Sequence, residues 1–549
     1  MKLRNKILLA FTLFSASALA QKTNTANIQS LPRPKLVVGI VVDQMRWDYL
    51  YRYYDRYSAG GFKRLLNDGF SCENTFIDYV PTVTAIGHSC IYTGSVPAIH
   101  GIAGNDWTIQ ATGKMMYCTE DTTVQTVGST SKAGEMSPKN LLASTITDEL
   151  KLATNFRSKV IGIALKDRGG ILPAGHTPNA AYWYDDQTGN WISSTYYMKN
   201  LPAWVDAFNG QAIGKKYMSQ PWTTLYPVAS YQQSTADNSP YEGPFRGEKT
   251  TAFPHDISSL KTMDSGILRS TPFGNTFTLD FAKAAVQSEN MGGSGFTDFL
   301  AVSLSSTDYV GHQFGPNSIE AEDTYLRLDK DLASFFSYLD SKVGKGNYTV
   351  FLSADHGAAH NPQFLIDHGI PAGLWPIGQV SAGLNAFLKE KYGQDKIVLN
   401  LGNYQVNLNN QLIASKKLNE DAIRKDCVDY LKNQDGVQYV VDMKDAASAT
   451  VPAGLSNQIV NGYNKDRSGV VQIILKPGWY SGSSKTGTTH GTWNPYDAHI
   501  PLVFMGWGIK HGKTNEITHM TDISATLAGL LRIQAPSGCI GKPITEVLK

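Results

Sequence analysis

Cysteine is scarce in this chain of 549 residues: Cys72, Cys90, Cys118, Cys427 and Cys539 are the only five, and no two form a CxxC pair. That spacing excludes a thiolate-held zinc cluster. An odd count also leaves at least one thiol unpaired within a monomer, the oligomeric state expected here. Charge is equally slight, with 49 Lys and Arg against 47 Asp and Glu, a formal +2. Proteins that bind polyanions carry a basic excess or stripe, so nucleic acid is not expected as a partner and any anion recognition must be local. Beyond the first twenty residues no segment approaches the roughly eighteen consecutive apolar residues of a bilayer span. Repeats and low-complexity tracts are absent too.

The first twenty residues differ from the rest. "MKLRNKILLAFTLFSASALA" has three basic residues, an apolar run too short to span a bilayer, and Ala18-Leu19-Ala20 at its end. This is the layout of a secretory signal peptide, cut before Gln21, and predicts a periplasmic or secreted protein. No cysteine follows the cut, which argues against a lipid anchor. Removal of Lys2, Arg4 and Lys6 would leave a net charge of −1. The remaining chain is long enough for one large domain with insertions or for two domains.

Four apolar runs rich in β-branched residues read as strands buried on both faces: "KLVVGIVVDQ" (35–44), "KVIGIAL" (159–165), "FLAVSLSSTD" (299–308) and "YTVFLSADH" (348–356). Helical patterns such as "NLLASTITDELKLAT" and "SIEAEDTYLRLDKDLASFFSYLDSKV" lie between them. Strands alternating with helices predict an α/β fold with a mostly parallel sheet. The alternation breaks at about 170–275 and 360–485, which read as cap insertions, and the sheet resumes near "HIPLVFMGWG". "NYT" at 347–349 fits the glycosylation pattern but opens a predicted buried strand and is discounted.

Each of the four strands ends in a charged residue: Asp43, Lys166, Asp308 and the pair Asp355-His356. Ligands of open α/β sheets bind beyond the carboxyl ends of the strands, so four distant segments should bring these groups to one rim. "STDYVGHQFG" adds His312 four residues after Asp308, on the same face if the chain turns helically there. "KTGTTHGTWNP" adds His490. Three histidines and three aspartates divide naturally into two three-ligand cation sites with open positions for substrate. Taken singly, an aspartate at a strand end is more often a turn or cap residue, and Asp-His-Gly is a weak signal. The combination carries the weight. His360 stands as a candidate outer partner or substrate contact, and the remaining histidines read as structural.

Thr84, in "DYVPTVTAIGHSC", acquires meaning in that setting. Alone it would read as the cap of the helix that follows. Beside a divalent cation its hydroxyl would ionise more readily and serve as a nucleophile. "HGIAGNDW" offers Asn105 as a neutral donor to a phosphoryl oxygen, and "ALKDRGG" offers Lys166 and Arg168, a point charge and a planar fork. Two cations beyond two metal ions suit a phosphate monoester dianion better than a diester.

Taken in order, "VVDQMRWDYL", "PTVTAIGHSCIYTGSVPAIHGIAGNDW", "LKDRGG", "STDYVGHQFGP", "SADHGAAHNPQF" and "THGTWNPYDAHIPLVFMG" resemble the alkaline phosphatase superfamily. Within it they are similar to the phosphate-irrepressible, PafA-type enzymes with a threonine nucleophile. The likeness spans essentially the whole mature chain. It implies a three-layer α/β/α fold and an exported phosphate monoester hydrolase of broad specificity. It also implies two zinc ions: one held by Asp308, His312 and His490, the other by Asp43, Asp355 and His356 with Thr84. Asn105, Lys166 and Arg168 would contact phosphoryl oxygens. A Cys-x-Pro-x-Arg sulfatase signature is missing. Phosphodiesterases and nucleotide pyrophosphatases of the same fold would share the threonine and asparagine but not the Lys-x-Arg pair. A non-enzymatic phosphate or zinc binder is the third alternative, disfavoured by an intact nucleophile.

Overall fold

The centre of the protein is a sheet of eleven strands. A computed structural model describes residues 32–260 and 265–549, so the expected signal peptide lies outside the described residues. In chain order the strands are β1 (Leu36–Val42), β2 (Phe70–Phe76), β3 (Thr126–Val127), β4 (Val160–Ala164), β5 (Ala180–Asp185), β6 (Asn190–Ser194), β7 (Asp298–Leu304), β8 (Tyr348–Ser353), β9 (His499–Ile500), β10 (Leu502–Gly506) and β11 (Gly512–His519). They are arranged β9-β2-β10-β8-β1-β7-β4-β5-β6-β3, with β11 beside β2. The middle five, β8-β1-β7-β4-β5, are parallel, whereas β10 and β6 pair antiparallel at either side.

The parallel block is built from the four apolar runs, and every residue of β1, β4, β7 and β8 is buried. Continuous apolar strands require cover on both faces. One layer holds α1 (Thr84–Thr93) and α2 (Asp167–Ala174), packed with helices Ile146–Ala153 and Asp522–Leu531. The other holds α3 (Ser306–Phe314) and α4 (Ile319–Leu339), packed with Phe273–Ser288 and Phe62–Asp68. The three-layer α/β/α fold expected from the sequence is therefore the one observed. Local chemistry sets the helix starts: Thr145 and Asp148 form a reciprocal capping box, and the Ser318 hydroxyl accepts from Ala321 N at the head of α4.

Two sequence expectations need correction. Residues 180–194 do not belong to a cap but extend the central sheet as the β5–β6 hairpin. Their aromatics, which look irregular in sequence, are the buried face of that hairpin: Trp191 stacks on Phe281 at 4.3 Å and Tyr182 meets the same ring edge-on at 5.4 Å. The run 299–308 is strand only to Leu304, after which the chain turns at Ser305 into α3. Asp308 therefore sits in the first turn of a helix.

Strands Val398–Asn400, Gln405–Leu408, Val437–Asp442 and Val471–Leu475 form a separate antiparallel sheet. Helices Ile377–Tyr392 and Glu420–Leu431 back it, around an apolar cluster of its own that includes Leu384, Ile423, Leu431 and Val471. It is tied to the segment around Thr84 by polar contacts: Val80 N donates to Gln458 O at 3.1 Å, and Arg467 Nη1 donates to Gly101 O and Asn140 O at 2.6 Å each. Among the described residues no helix is long and apolar enough to cross a membrane.

Candidate active site

Parallel strands with level ends place four chain segments at one rim. Val41 pairs with both Ser303 and Ser353, and Ser303 pairs with Ala164, so β1, β4, β7 and β8 finish together. Asp43 follows β1. Lys166 stands where β4 gives way to α2, and Arg168 lies in the first turn of that helix. Asp308 and His312 are one turn apart on α3, and Asp355-His356 follows β8. Thr84 is the first residue of α1, with Val83 in the cap position and no side-chain capping bond. The Thr84 hydroxyl thus is not the cap that its place in the sequence suggests. Asn105 precedes the hairpin Asp106–Thr108/Met115–Tyr117, and its Oδ1 accepts from Ala85 N at 2.9 Å, which holds its amide beside Thr84 with Nδ2 left to donate to a ligand. Gly87 lets α1 reach the site, because a Cβ there would lie 2.3 Å from Asp355 O.

Three imidazoles are oriented alike. Each directs Nδ1 to a backbone carbonyl: His312 to Thr488 O at 2.9 Å, His356 to Gly357 O at 3.0 Å and His490 to Thr82 O at 2.7 Å. A carbonyl can only accept, so Nδ1 carries the proton and Nε2 presents a lone pair in the neutral ring. Those lone pairs face carboxylates. His312 Nε2 and His490 Nε2 lie 3.1 and 3.7 Å from Asp308 Oδ1, and His356 Nε2 lies 3.6 Å from Asp43 Oδ1 and 3.3 Å from Asp355 Oδ2. Thr84 Oγ1 is 3.4 Å from His356 Nε2. The donor atoms of Asp308, His312 and His490 fall within 4.8 Å of one another, as do those of Asp43, Asp308 and His356.

Acceptor facing acceptor is unfavourable unless something positive lies between them. Asp43 Oδ1 and Asp355 Oδ2 are both buried without a hydrogen-bond partner among the described residues, which is costly for a carboxylate. Burial holds the His356 pKa down at about 4 and that of His490 well below the ordinary value, so both rings stay neutral as metal ligands must. The residues therefore fit divalent cations of the kind that take imidazole and carboxylate together. The second imidazole nitrogen of each ring already has the backbone partner that such ligands require.

Positive charge is equally local. Lys166 Nζ donates to Asp43 Oδ2 and Asp308 Oδ2 at 2.6 Å each, in a side chain that is 2% exposed. Burial opposes its charge, but Asp308 and Asp43 outweigh that and hold its pKa above the ordinary lysine value. Arg168 Nη1 donates to Tyr117 Oη at 3.0 Å, and that hydroxyl donates to Asp167 Oδ1 at 2.8 Å. The Arg168 Nε is buried without a hydrogen-bond partner among the described residues. With all three aspartates ionised, as metal ligands must be, they outweigh Lys166 and Arg168 by one negative charge; before a cation binds, burial and the neighbouring Asp43 hold the Asp355 pKa well above the ordinary carboxylate range.

Other neighbours carried no local signal, or only a faint one. His88 is fully buried one turn after Thr84, where it bonds Thr84 O and Ser303 Oγ at 2.9 Å each; its i+4 spacing from Thr84 was the only trace. Tyr117 reaches Arg168 from the hairpin, and Gln44 touches two of the aspartates. His360 lies one shell out, against Arg46 Nη1 at 3.0 Å and Asn317 Nδ2 at 3.2 Å.

Residues 37–497 match the family model described as type I phosphodiesterase/nucleotide pyrophosphatase. The chain is 55% identical to alkaline phosphatase PhoV of Synechococcus elongatus, over 100% of both chains. It is 61% identical, over 95% of its length and 96% of the relative's, to a Myroides odoratus protein named calcium-transporting ATPase. The crystal structure of wild-type alkaline phosphatase PafA is similar with a TM-score of 0.93 and 55% identity, covering 95% of this chain and 100% of that one.

Proposed function

The chain belongs to the type I phosphodiesterase/nucleotide pyrophosphatase family and within it to the PafA-type alkaline phosphatases, phosphate monoester hydrolases, and from that premise we propose a two-cation reaction through a phosphothreonine on Thr84. The observation that carries the proposal is the Thr84 hydroxyl, unused as a helix cap, lying against His356 among three inward Nε2 atoms and two unpartnered carboxylate oxygens. Asp308, His312 and His490 would hold one cation. Asp43, Asp355 and His356 would hold the other, beside Thr84. The imidazole and carboxylate donors suit zinc. When bound, the cations lower the pKa of the threonine hydroxyl and neutralise charge on the transferring group. Two divalent cations set against the three ionised aspartates, with Lys166 and Arg168, would give the site a net +3, which favours a dianionic ester.

The chain's own residues position the substrate. Lys166 spends two of its three N–H groups on Asp43 and Asp308, leaving one for a phosphoryl oxygen. The Arg168 guanidinium, braced by Tyr117, and the Asn105 amide, braced against Ala85, supply further donors. Thr84 Oγ bonds to phosphorus as the ester P–O bond breaks, and the proton it loses is balanced by the one the departing alkoxide takes up. Water then attacks the phosphothreonine, restores the hydroxyl and releases inorganic phosphate. Positioning and charge supply most of the acceleration. The enzyme acts after export, through the amino-terminal leader. Thr84→Ala should abolish the trapped phosphoenzyme and lower turnover by orders of magnitude, and turnover near the parent's rules out this nucleophile.

The family description also embraces diesterases, and the Lys166/Arg168 pair is what separates the two readings. Replacing both residues by alanine should cost phenyl phosphate turnover much more than bis-aryl phosphate turnover, because only the monoester presents a second negative charge. Equal losses on both substrates would contradict that charge argument.

A further inference from the structure

Gln44, the residue after Asp43, is 3% exposed and stands in the left-handed region with φ at 63°. A glutamine gains nothing from that conformation by itself, and strain of this kind persists only where the surroundings enforce it. Two bonds do so. The Gln44 backbone N–H donates to Asp355 Oδ1 at 3.1 Å, and its side-chain Nε2 donates to Asp308 Oδ1 at 2.7 Å. One residue thus grips a carboxylate from each of the two ligand groups, across 311 and 264 positions of chain.

Each bond orients its carboxylate. Asp355 Oδ1 receives N–H groups from both Gln44 and His356, which turns the unpartnered Oδ2 toward the His356 ring. Asp308 Oδ2 belongs to Lys166, and Oδ1, the atom nearest His312 and His490, is the one Gln44 fixes. Turning the amide over would set Oε1 against Asp308 Oδ1, acceptor to acceptor. Its Oε1 packs against Gly311, between Asp308 and His312 on α3, where a Cβ would lie 2.0 Å from that oxygen. Glycine at 311 is the space the glutamine needs.

We infer that Gln44 is a positioning residue that presets both cation sites at once, its side chain aligning Asp308 and its backbone amide aligning Asp355. The role rests on the two-cation reading above and concerns how tightly the chain holds its cations, not the chemical step. Supporting groups of this kind typically change metal affinity about 10–100-fold when removed.

Gln44→Gly separates the two bonds, since glycine accepts the left-handed φ and keeps the backbone N–H but deletes the side-chain amide. The parent and the variant, each as the full chain, would be equilibrated against buffers of defined free zinc, and bound zinc counted by elemental analysis. The parent should hold two ions per chain. At the zinc concentration that just fills the parent, the variant should hold one, its second ion needing roughly 10–100-fold more zinc. Gly311→Ala, which crowds the same amide from the other side, should reproduce that loss, and decides alone should Gln44→Gly not fold. Both variants filling two sites at the parent's affinity overturns the role of Gln44 while leaving the two-cation reading intact. A parent that binds no zinc overturns both.

Discussion

Lys166 gives the sharpest test of the site's electrostatics. Among the described residues its ammonium is the one side-chain cation within bonding distance of both Asp43 and Asp308, at 2.6 Å from each, and all three side chains are buried. Lys166→Met keeps the length of the side chain and deletes the charge. Removing one partner of a buried ion pair costs roughly 3–5 kcal/mol, because the other partner is left uncompensated. Unfolding entropy near 2 cal/mol/K per residue makes that a fall of roughly 3–5 °C in Tm for a chain of this length. The cost belongs to the metal-free protein. Divalent cations would compensate the same carboxylates, so the zinc-induced rise in Tm should be larger for the variant than for the parent. Turnover should move the other way, falling about 10²–10³-fold with the loss of a phosphoryl donor. Scanning calorimetry on chelated and zinc-loaded protein reads both stability effects. A metal-free variant as stable as the parent, or an unchanged zinc-induced shift, would refute the claim that Lys166 and the cations share these carboxylates.

Two further outcomes follow from neighbouring groups. Tyr117→Phe removes the hydroxyl that accepts from Arg168 Nη1 and donates to Asp167, so monoester KM should rise severalfold with a smaller change in diester KM; parallel changes on both substrates would mean that the hydroxyl does not position Arg168. Glu242 is buried, and that burial together with nearby Glu320 raises its pKa from 4.5 to about 8. Between those pH values the folded state keeps a proton that the unfolded state has lost, so stability falls as pH rises, by about 1.4 kcal/mol per unit for this one group. Glu242→Gln should flatten that slope and leave the variant more stable than the parent at pH 8. Thermal unfolding across pH 5–8 with no difference in slope contradicts it.

Much of the fold could be read from sequence because the relevant properties are local. A mostly apolar run rich in β-branched residues is buried on both faces, and charged groups are readily accommodated where it leaves the sheet; hence Asp43, Lys166 and Asp308 at the ends or just beyond. Parallel pairing then levels those ends without further instruction, as the register of Val41 with Ser303 and Ser353 shows. The β5–β6 hairpin escaped because its aromatics resemble a loop until the helix they pack on, Phe273–Ser288, is known to lie beneath them. Gln44, His88 and Tyr117 escaped for a related reason. Nothing in "VVDQMRW" marks a glutamine that bonds residues 264 and 311 positions away, since the need for it arises only once α3 and the end of β8 are in place. The same holds for Lys166, whose sequence neighbours suggest an arm held out to a phosphate. In the folded protein two carboxylates hold it first, at 2.6 Å, and its contact with any substrate must be made with the one N–H that remains. A residue type and its strand end are therefore enough to say which groups meet at the rim, whereas which atom of each group is still free to act depends on partners that only the assembled rim supplies.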